Sequence, residues 1–374
     1  MQRLRLVFFA IALLVAFAAP PAAGAASPKP ADRALDRALQ QLVAMPGGPP
    51  GVVAVVQRHG RVMAHTAGVA DIATGRRIAA TDHMRLASVA KAYSGAVALG
   101  LVDRGVLALD DTIGKWLPDL SQAWSGVTLR ELLNHTSGLP DFSKNPSFIS
   151  TVIAAPHRPR SMVALLRFIA GAPLAFPPGS RYQYSNSDNI AIALMVQAAI
   201  GRPYALELIA RVFSPLGLTR TSLPLGFGMP RPLMHGYNVQ PGQPAEDVTT
   251  LFSASLSSAS GGVQSTPLEL NAFIRGYVGG RLFGPAVRRQ QRRLVDGGSE
   301  PPGPGQNKAG LAIFRYTTRC GTVYGHTGNT PGYTQFAAAS LSGRRSATVS
   351  TTAQLTPAGA PLVFPVLRAT FERA

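Results

Sequence analysis

The spacing of hydrophobic positions changes within the first part of the chain. Residues 32–45, DRALDRALQQLVAM, carry leucine and alanine at helical intervals, which predicts an amphipathic helix. The following segment has two β-branched runs, 52–57 and 62–66, on either side of His59 and Gly60. Such runs around a glycine turn predict a β-hairpin.

The middle of the chain, from about residue 90 to 280, reads mainly as helix with loops. One helix is predicted from Ser88 to a stop near Gly105. Another, SDNIAIALMVQAAIG, is apolar enough to be buried, and we predict that Ser187 caps it and Gly201 closes it. Ser88 is therefore expected near a helix N-terminus, where backbone N–H groups point outward and favour negative charge.

Strand patterns return at the C-terminal end in GTVYGHTG, YTQFAAASL and SATVSTTAQ. Strands at both ends with helices between them predict an α/β fold of the α+β type, an antiparallel sheet built from N- and C-terminal strands. We expect one domain over residues 26–374. Its sheet lobe takes about 32–87 and 285–374, and its helical lobe about 88–284.

Residues 1–25 have the layout of a secretory signal peptide. Arg3 and Arg5 precede an apolar run over 6–19, and small residues follow. The run is shorter than the roughly 20 residues of a membrane span, and no later stretch of sequence looks long enough to be one. We therefore expect a secreted or periplasmic protein without a transmembrane segment, and a retained signal anchor is the alternative.

The chain is strongly basic, with 36 Lys and Arg against 18 Asp and Glu and a formal net charge of +18. That charge predicts loose association with anionic polymers of the cell envelope. The sequence has no nucleic-acid-binding motif, and export argues against such a partner. Only one cysteine, Cys320, is present, so disulfides cannot hold the fold together.

Lysine is rare among these cations, and one of the five lysines, Lys91, follows a serine by three residues, in Ser88-Val-Ala-Lys91. Arginine stays protonated, whereas burial or a nearby cation can leave lysine neutral. On a helix the two side chains share a face. A neutral Lys91 could then accept the proton of Ser88 and activate it as a nucleophile.

Two further segments carry polar groups suited to this chemistry. YQYSNSDN offers Tyr184, whose hydroxyl can relay a proton, and Asn186, whose amide can hold an amine or a carbonyl. GHTGNTPGY places His326 and Thr327 on a predicted strand, beside a Gly328 small enough for a substrate to lie alongside.

Together, Ser88-Val-Ala-Lys91, Tyr184-Ser-Asn186 and His326-Thr327-Gly328 resemble the three motifs of the penicillin-recognising serine enzymes. Phrases such as LVDRGVLALDDTIGKWLPDL, LLNHTSGLPDF and SASGGVQSTPLELNAF extend the resemblance over nearly all of the mature chain. That superfamily includes class C β-lactamases, D-alanyl-D-alanine carboxypeptidases and related esterases. The resemblance implies a β-lactamase/transpeptidase-like fold.

The resemblance also implies roles for individual residues. Ser88 is expected to be the acylated nucleophile, Lys91 its base or proton shuttle, and Tyr184 a second proton-transfer group. Asn186 is expected to orient Lys91 and the acyl amide. The backbone N–H groups of Ser88 and Asn329 are expected to form the oxyanion hole. The order in which Lys91 and Tyr184 act is left open.

Most class C β-lactamases have Lys-Thr-Gly at the third motif, where this chain has His326. We expect a partly charged His326 to attract a substrate carboxylate less firmly than lysine does. His-Thr-Gly is most similar to the secreted D-alanyl-D-alanine carboxypeptidases, which also tend to use an arginine. The nearest arginine, Arg315, does not align clearly. His135 is interpreted as a structural loop residue and Asp188 as a turn or cap residue.

The expected function is an exported serine hydrolase that acts on cell-wall peptides ending in D-Ala-D-Ala and is acylated by β-lactams. A carboxylesterase or a weak β-lactamase is the alternative among enzymes. A penicillin- or peptidoglycan-binding protein without turnover is the alternative from another class. No cofactor is expected, and the histidine spacing does not suit a catalytic metal.

Overall fold

The structure is a computed structural model that describes residues 30–58, 60–318 and 321–354. Three features predicted above lie outside these residues: the signal peptide over 1–25, the turn residue His59 and the single cysteine Cys320.

Helices are concentrated between the two groups of strands. In chain order they are α1 Pro30–Ala44, α2 Ala90–Asp103, α3 Ile113–Trp116, α4 Leu129–Leu133, α5 Pro146–Ala154, α6 Met162–Arg167, α7 Asn186–Ile200, α8 Tyr204–Leu208, α9 Ser214–Leu216, α10 Ser258–Gly261, α11 Pro267–Gly279 and α12 Pro285–Gln291. Short 3₁₀ turns cover Ala87–Val89, Gln122–Trp124, Phe142–Lys144 and Ala254–Leu256, and Ile209–Phe213 is π-helical.

The strands come mostly from the two ends of the described chain. They are β1 Gly51–Arg58, β2 Arg61–Asp71, β3 Arg76–Arg77, β4 Met84–Arg85, β5 Tyr237–Asn238, β6 Glu246–Asp247, β7 Gln264–Ser265, β8 Val295–Asp296, β9 Gln306–Gly310, β10 Ile313–Thr318, β11 Gly321–Thr330, β12 Tyr333–Ala339 and β13 Ser346–Thr351.

Nine of these strands form one antiparallel sheet in the order β3-β2-β1-β13-β12-β11-β10-β9-β8. The pairing of β1 with β13 joins the two ends, with Val52 opposite Thr351. The Gly51 N–H donates to Thr352 Oγ1 at 2.7 Å beside this junction. The predicted fold class is confirmed, since N- and C-terminal strands form one antiparallel sheet that helices flank.

Both faces of the sheet are covered, which explains why β1 is continuously apolar. Val53 and Val55 belong to the large core that also contains the helices of the middle region. The alternate residues of β1 pack in a smaller core against Leu35, Leu39 and Leu42 of α1. The predicted N-terminal helix and hairpin are both confirmed.

Helix α2 is buried along nearly its whole length and packs against α7 and α10. Its residue Gly95 allows close packing against the β9–β10 turn, because a Cβ there would lie 2.0 Å from the Cβ of Ala312. Residues 90–101 of α2 and 187–196 of α7 are buried without a break, as in interior helices. The position of α2 is therefore fixed from several directions before any ligand binds.

The cap of α7 differs from the prediction. Ser185, not Ser187, is the N-cap, and its side chain accepts from the Ser187 N–H. Ser187 lies inside the first turn, where its hydroxyl donates to the Pro140 carbonyl at 2.6 Å. The sequence offers serine at both positions, so the choice depends on this tertiary contact. Gly201 ends the helix with φ of 70°, as predicted.

Within the described ranges, no single helix combines the length and apolar character needed to cross a bilayer. One pair, Asn186–Ile200 with Tyr204–Leu216, reaches that length and composition only when taken together across a bend of 87°.

Replacing Leu39 by alanine tests the packing of α1 on the sheet. Leu39 has no exposed surface, so we expect Leu39→Ala to lower the free energy of unfolding by about 2–5 kcal/mol. Chemical denaturation measures the loss. The exposed neighbour Gln40 supplies the control, and equal effects of Gln40→Ala and Leu39→Ala would contradict the assignment.

Candidate active site

Ser88 lies in the 3₁₀ turn that leads directly into α2. It is half-buried, whereas its neighbours Ala87 and Val89 are buried. Ala87 has φ of +49°, in the left-handed region that non-glycine residues seldom adopt. A strained residue immediately before a half-buried serine is typical of a functional position.

Strand β11 passes against this turn at Gly328. A Cβ on Gly328 would lie 2.5 Å from the Leu86 carbonyl oxygen and 3.0 Å from the Ser88 backbone nitrogen. Only glycine therefore allows the strand to lie this close to the serine. The contact brings the first and third sequence motifs together.

Lys91, on the first turn of α2, has no exposed surface. Its Nζ lies 3.0 Å from Ser88 Oγ, 2.7 Å from Asn186 Oδ1 and 2.8 Å from the Ser260 carbonyl oxygen. Burial lowers the pKa of Lys91 to about 7, although the charges of Asp141, Glu300 and Asp188 act to raise it. The amine is thus poised between its two protonation states near neutral pH.

The three neighbours of Nζ suit the neutral amine. A neutral amine has two N–H groups and one lone pair. Asn186 Oδ1 and the Ser260 carbonyl can only accept hydrogen bonds, so they take the two N–H groups. The lone pair then faces Ser88, whose hydroxyl can donate. This geometry prepares Lys91 to remove the Ser88 proton.

Asn186 is held by a carboxylate on its other side. Its Nδ2 donates to Asp141 Oδ2 at 3.0 Å and to Ser143 Oγ at 2.9 Å. Asp141 is buried and caps the 3₁₀ turn over Phe142–Lys144. These contacts fix the amide orientation, so that its oxygen points at Lys91.

Tyr184 precedes α7 and is 4% exposed. The Lys91 Nζ lies 4.8 Å from the centre of its ring. Burial raises the pKa of Tyr184 well above its ordinary value, and the Ser88 side chain offsets this only in part. The phenol is neutral at pH 7, and its Oη has no hydrogen bond of normal geometry to the described residues. It can therefore donate a proton to a ligand.

His135 and Asp188 form a buried pair behind Tyr184. His135 Nδ1 lies 2.7 Å from Asp188 Oδ2, and the His135 and Tyr184 rings are 4.6 Å apart. Burial lowers the pKa of His135 to about 3 and raises the pKa of Asp188 well above its usual range. Asp188 is thus not an ordinary turn or cap residue, because it is fully buried and also accepts from Ser137 Oγ.

Among the described residues, one edge of β11 has no paired strand beside the serine. Strand β10 pairs with β11 only from Gly321 to Gly325, whereas β12 pairs with it as far as Thr330. Residues 326–328 therefore have no strand partner on their second edge in the part of the chain that the structure describes. An extended ligand could add there by backbone hydrogen bonds. Asn329, which follows this stretch, is half-exposed, and its side chain accepts from Thr334 Oγ1.

His326 differs from the expectation of a partial positive charge. Its ring is fully buried, and burial, followed by the charge of Lys91, lowers its pKa to about 3. His326 Nδ1 lies 2.6 Å from the Thr327 carbonyl, so Nδ1 carries the proton of the neutral ring. His326 is uncharged at neutral pH and can offer a ligand only the lone pair of Nε2.

The structure therefore brings the sequence-predicted residues of all three motifs to one place. Arg315, the nearest arginine considered for a substrate carboxylate, lies on β10 opposite Tyr324, which precedes His326 by two residues. Asp141 and the Ser260 carbonyl were missed. Asp141 stands in the phrase LLNHTSGLPDF, but only folding shows its contact with Asn186.

Within the described part of the chain, no group of three or more His, Cys, Asp or Glu side chains is arranged to hold a metal ion. The chemistry available from this geometry is that of an activated serine beside a neutral phenol. Such a set can attack a carbonyl carbon and protonate the group that leaves it.

Comparison with known proteins points the same way. A family model described as Beta-lactamase matches residues 35–368. Esterase EstB of Burkholderia gladioli is 35% identical over 206 residues, 49% of this chain and 52% of that protein. Penicillin-binding protein 4* of Bacillus subtilis is 31% identical over 159 residues, 42% of this chain and 34% of that protein. The chain thus matches about half or less of these relatives' length.

A solved structure covers more of the chain. A D-stereospecific amidohydrolase from Streptomyces sp. superimposes with a TM-score of 0.79 at 27% identity, over 91% of this chain and 98% of that one.

Replacing Lys91 by arginine keeps a positive charge but removes the deprotonable amine. We expect Lys91→Arg to slow acylation of Ser88 at neutral pH by about 10²–10⁴-fold, the usual contribution of a positioned base. Rapid-mixing measurements with a chromogenic acylating substrate give the rate. Lys115 is an exposed lysine, and Lys115→Arg serves as the control. Acylation at the wild-type rate in Lys91→Arg would show that Lys91 is not the base.

Replacing Asp141 by asparagine tests the electrostatic setting of Lys91. The charge of Asp141 raises the pKa of Lys91, so its removal should lower that pKa. Because the neutral amine is the active form, kcat/KM rises with pH through this pKa and is lost below it. We therefore expect Asp141→Asn to move the rising limb of the pH profile to lower pH.

The matched control for this shift is Asp110→Asn, because the Asp110 side chain is 81% exposed. It should leave the profile in place. A limb that stays in place or moves to higher pH in Asp141→Asn would contradict the assigned electrostatics.

Proposed function

This chain belongs to the beta-lactamase family, and we propose that it is a serine hydrolase that works through an acyl-enzyme on Ser88. One observation carries the proposal: the fully buried Lys91 amine lies 3.0 Å from Ser88 Oγ and has its two other hydrogen bonds satisfied by acceptors. A purely structural role for Lys91 would not explain why a serine hydroxyl lies where the lone pair of the neutral amine points.

In the first half-reaction Ser88 Oγ bonds to the carbonyl carbon of an ester or amide, and its proton passes to Lys91 Nζ. The backbone N–H groups of Ser88 and Asn329 stabilise the negative oxygen that develops. The bond to the leaving group then breaks as Tyr184 supplies a proton. Tyr184 then recovers its proton from Lys91.

In the second half-reaction water adds to the acyl carbon and gives up a proton to the same base. The ester bond to Ser88 breaks, and Oγ regains a proton. Lys91 is the first base in this scheme because its pKa is lowered to about 7, whereas the pKa of Tyr184 is raised. Because its pKa is raised, the Tyr184 phenol keeps its proton at pH 7. It therefore has a proton to donate at the end of the step and cannot accept one at the start.

The charges around the site favour an ester or amide whose leaving group carries no carboxylate. Recognition of a D-Ala-D-Ala terminus needs a cation for the terminal carboxylate. His326 is neutral at pH 7, and the charges that act on Lys91 from its surroundings are carboxylates. The names of the esterase and the amidohydrolase among the similar proteins agree with this preference.

A D-alanyl-D-alanine carboxypeptidase of cell-wall peptides is the second candidate. The His326-Thr327-Gly328 motif favours it, because this form of the third motif resembles that group of enzymes. A weak β-lactamase and a penicillin-binding protein without turnover share the acylation step and differ in how fast water resolves the ester.

We also propose that the protein is exported and acts in the periplasm or outside the cell. The support is the charged, apolar and small-residue order of residues 1–25. Removal of Arg3 and Arg5 with the signal peptide lowers the formal charge from +18 to +16, which would hold the protein loosely at anionic polymers of the envelope.

A side-by-side rate comparison tests the function. The substrates are a short-chain p-nitrophenyl ester, a D-amino-acid amide, a nitrocefin-type β-lactam and a D-Ala-D-Ala peptide. We expect kcat/KM for the ester or amide to exceed that for the peptide by at least about tenfold, a difference of ~1.4 kcal/mol. A peptide rate equal to or above the others would make the carboxypeptidase the better conclusion.

Labelling with a fluorescent penicillin checks the nucleophile in the same samples. Ser88→Ala should abolish the label and all turnover, and the exposed Ser150 supplies Ser150→Ala as control. Label retained in Ser88→Ala would refute the assignment of the nucleophile. A stable label with no turnover of any substrate would identify a binding protein instead.

A further inference from the structure

The loop over residues 297–305, GGSEPPGPG, carries a single charged residue, Glu300. This loop is tied to the site on both sides of Glu300. Tyr182 Oη donates to the Gly298 carbonyl at 2.6 Å, and Thr327 Oγ1 donates to the Pro301 carbonyl. Thr327 belongs to the third motif, so the loop is joined to the strand that lines Ser88.

Further contacts hold the same loop. Tyr316 Oη donates to Ser299 Oγ at 3.0 Å, and the Gly303 N–H donates to Asn307 Oδ1 at 3.0 Å. Gly297 packs against the ring of Tyr182, since a Cβ there would lie 2.4 Å from the ring. The backbone around Glu300 is therefore placed by the fold, whereas the Glu300 side chain is exposed.

Glu300 has no hydrogen bond or ion pair with any other described residue. This is notable in a chain with twice as many basic as acidic side chains, 36 against 18. The two other carboxylates near Lys91 are occupied. Asp141 holds Asn186 and Ser143, and Asp188 holds His135 and Ser137.

The negative charge of Glu300 acts on the titratable groups of the site. Its charge raises the pKa of Lys91, of His135 and of the two tyrosines 182 and 184. The hydrogen bonds of Gly298 with Tyr182 and of Pro301 with Thr327 place Glu300 beside the same groups, so its carboxylate can act on a ligand bound among them. Tyr182, half-buried beside the loop, adds an aromatic ring to the same region.

We propose that Glu300 is a specificity-determining residue that binds a positive charge on the leaving group of the substrate. The inference rests on the proposed function, in which Tyr184 protonates the leaving group. Gly298, two residues before Glu300, accepts from Tyr182 Oη, and Tyr184 follows Tyr182 by two residues, so a group that departs toward Tyr184 departs toward the loop that carries Glu300. The substrate class is an ester or amide whose alcohol or amine portion carries an ammonium group.

The same carboxylate disfavours a leaving group that ends in a carboxylate, because the two negative charges repel each other. For an amide, it also favours the ammonium form of the released amine. Glu300 acts on the substrate and takes no part in bond making or breaking.

Three butyryl thioesters with matched leaving thiols test this directly. The thiols end in a trimethylammonium group, in the neutral tert-butyl isostere or in a carboxylate, and thiol release reports turnover. We expect the wild-type enzyme to prefer the ammonium thioester. Glu300→Gln should reduce its kcat/KM about fivefold, the modest effect of an exposed charge pair, and change that of the isostere less than twofold.

Two further results are expected. Glu300→Gln should improve kcat/KM for the carboxylate thioester, and the ammonium preference of the wild type should fall as ionic strength rises. Asp119 is an exposed aspartate that also has no partner among the described residues. Asp119→Asn makes the same change in net charge and should leave all three rates as they are.

A fourth thioester carries the trimethylammonium group on the acyl portion and a neutral leaving thiol. Its rate should be insensitive to Glu300→Gln. If Glu300→Gln lowers kcat/KM for this substrate as much as, or more than, for the thioester with the cationic leaving thiol, Glu300 does not bind the leaving group. A parallel loss for the ammonium thioester and its isostere would also overturn the proposal, because Glu300 would then act through the catalytic groups.

These results separate the inference from the proposed function. If Ser88→Ala still turns over the thioesters, or the wild type turns over none of them, the proposed function fails. If the wild type turns over the cation and its isostere at equal rates, and Glu300→Gln changes neither, only the role of Glu300 fails.

Discussion

The complete burial of the Lys91 amine is the constraint on which the rest of the site depends. An ammonium group without water is costly unless acceptors surround it. Here Asn186 Oδ1 and the Ser260 carbonyl can only accept hydrogen bonds, so they take two N–H groups of the amine. The third position around Nζ then faces Ser88 Oγ. Burial and the nearby carboxylates oppose each other, and the pKa of Lys91 settles at about 7. Arginine could not take this place, because it does not lose its proton.

The fold supplies each part of that environment from a different direction. Helix α2 packs closely against the β9–β10 turn at Gly95, α7 brings Asn186, and α10 brings the Ser260 carbonyl. Three non-glycine residues with positive φ lie around the site: Ala87 before the serine, His135 against Tyr184 and Ser258 at the start of α10. Strain of this kind persists only where the surroundings hold the backbone firmly. The rigid helices and sheet therefore preorganise the polar groups.

Much of this could be predicted from the sequence, and the failures share a physical cause. The hairpin β1–β2 and the last three strands follow from local alternation, and the three motifs name the groups that meet at Ser88. The cap of α7, the contact of Asp141 with Asn186 and the anchoring of Glu300 depend on residues distant in sequence. The charge of His326 was wrongly predicted because its pKa depends on burial. Residue type alone does not reveal that a side chain loses all contact with water.

The rarity of lysine in this chain allows the central claim to be measured directly. With only five lysines, selective ¹³C labelling of the lysine ε-carbons gives few NMR signals, and single Lys→Arg variants assign each one. A pH titration then reports each pKa. We expect the Lys91 signal to titrate at about 7, whereas exposed lysines titrate at about 10.4. A Lys91 signal that titrates together with the exposed lysines would show that Lys91 is not neutral at pH 7 and cannot act as the base.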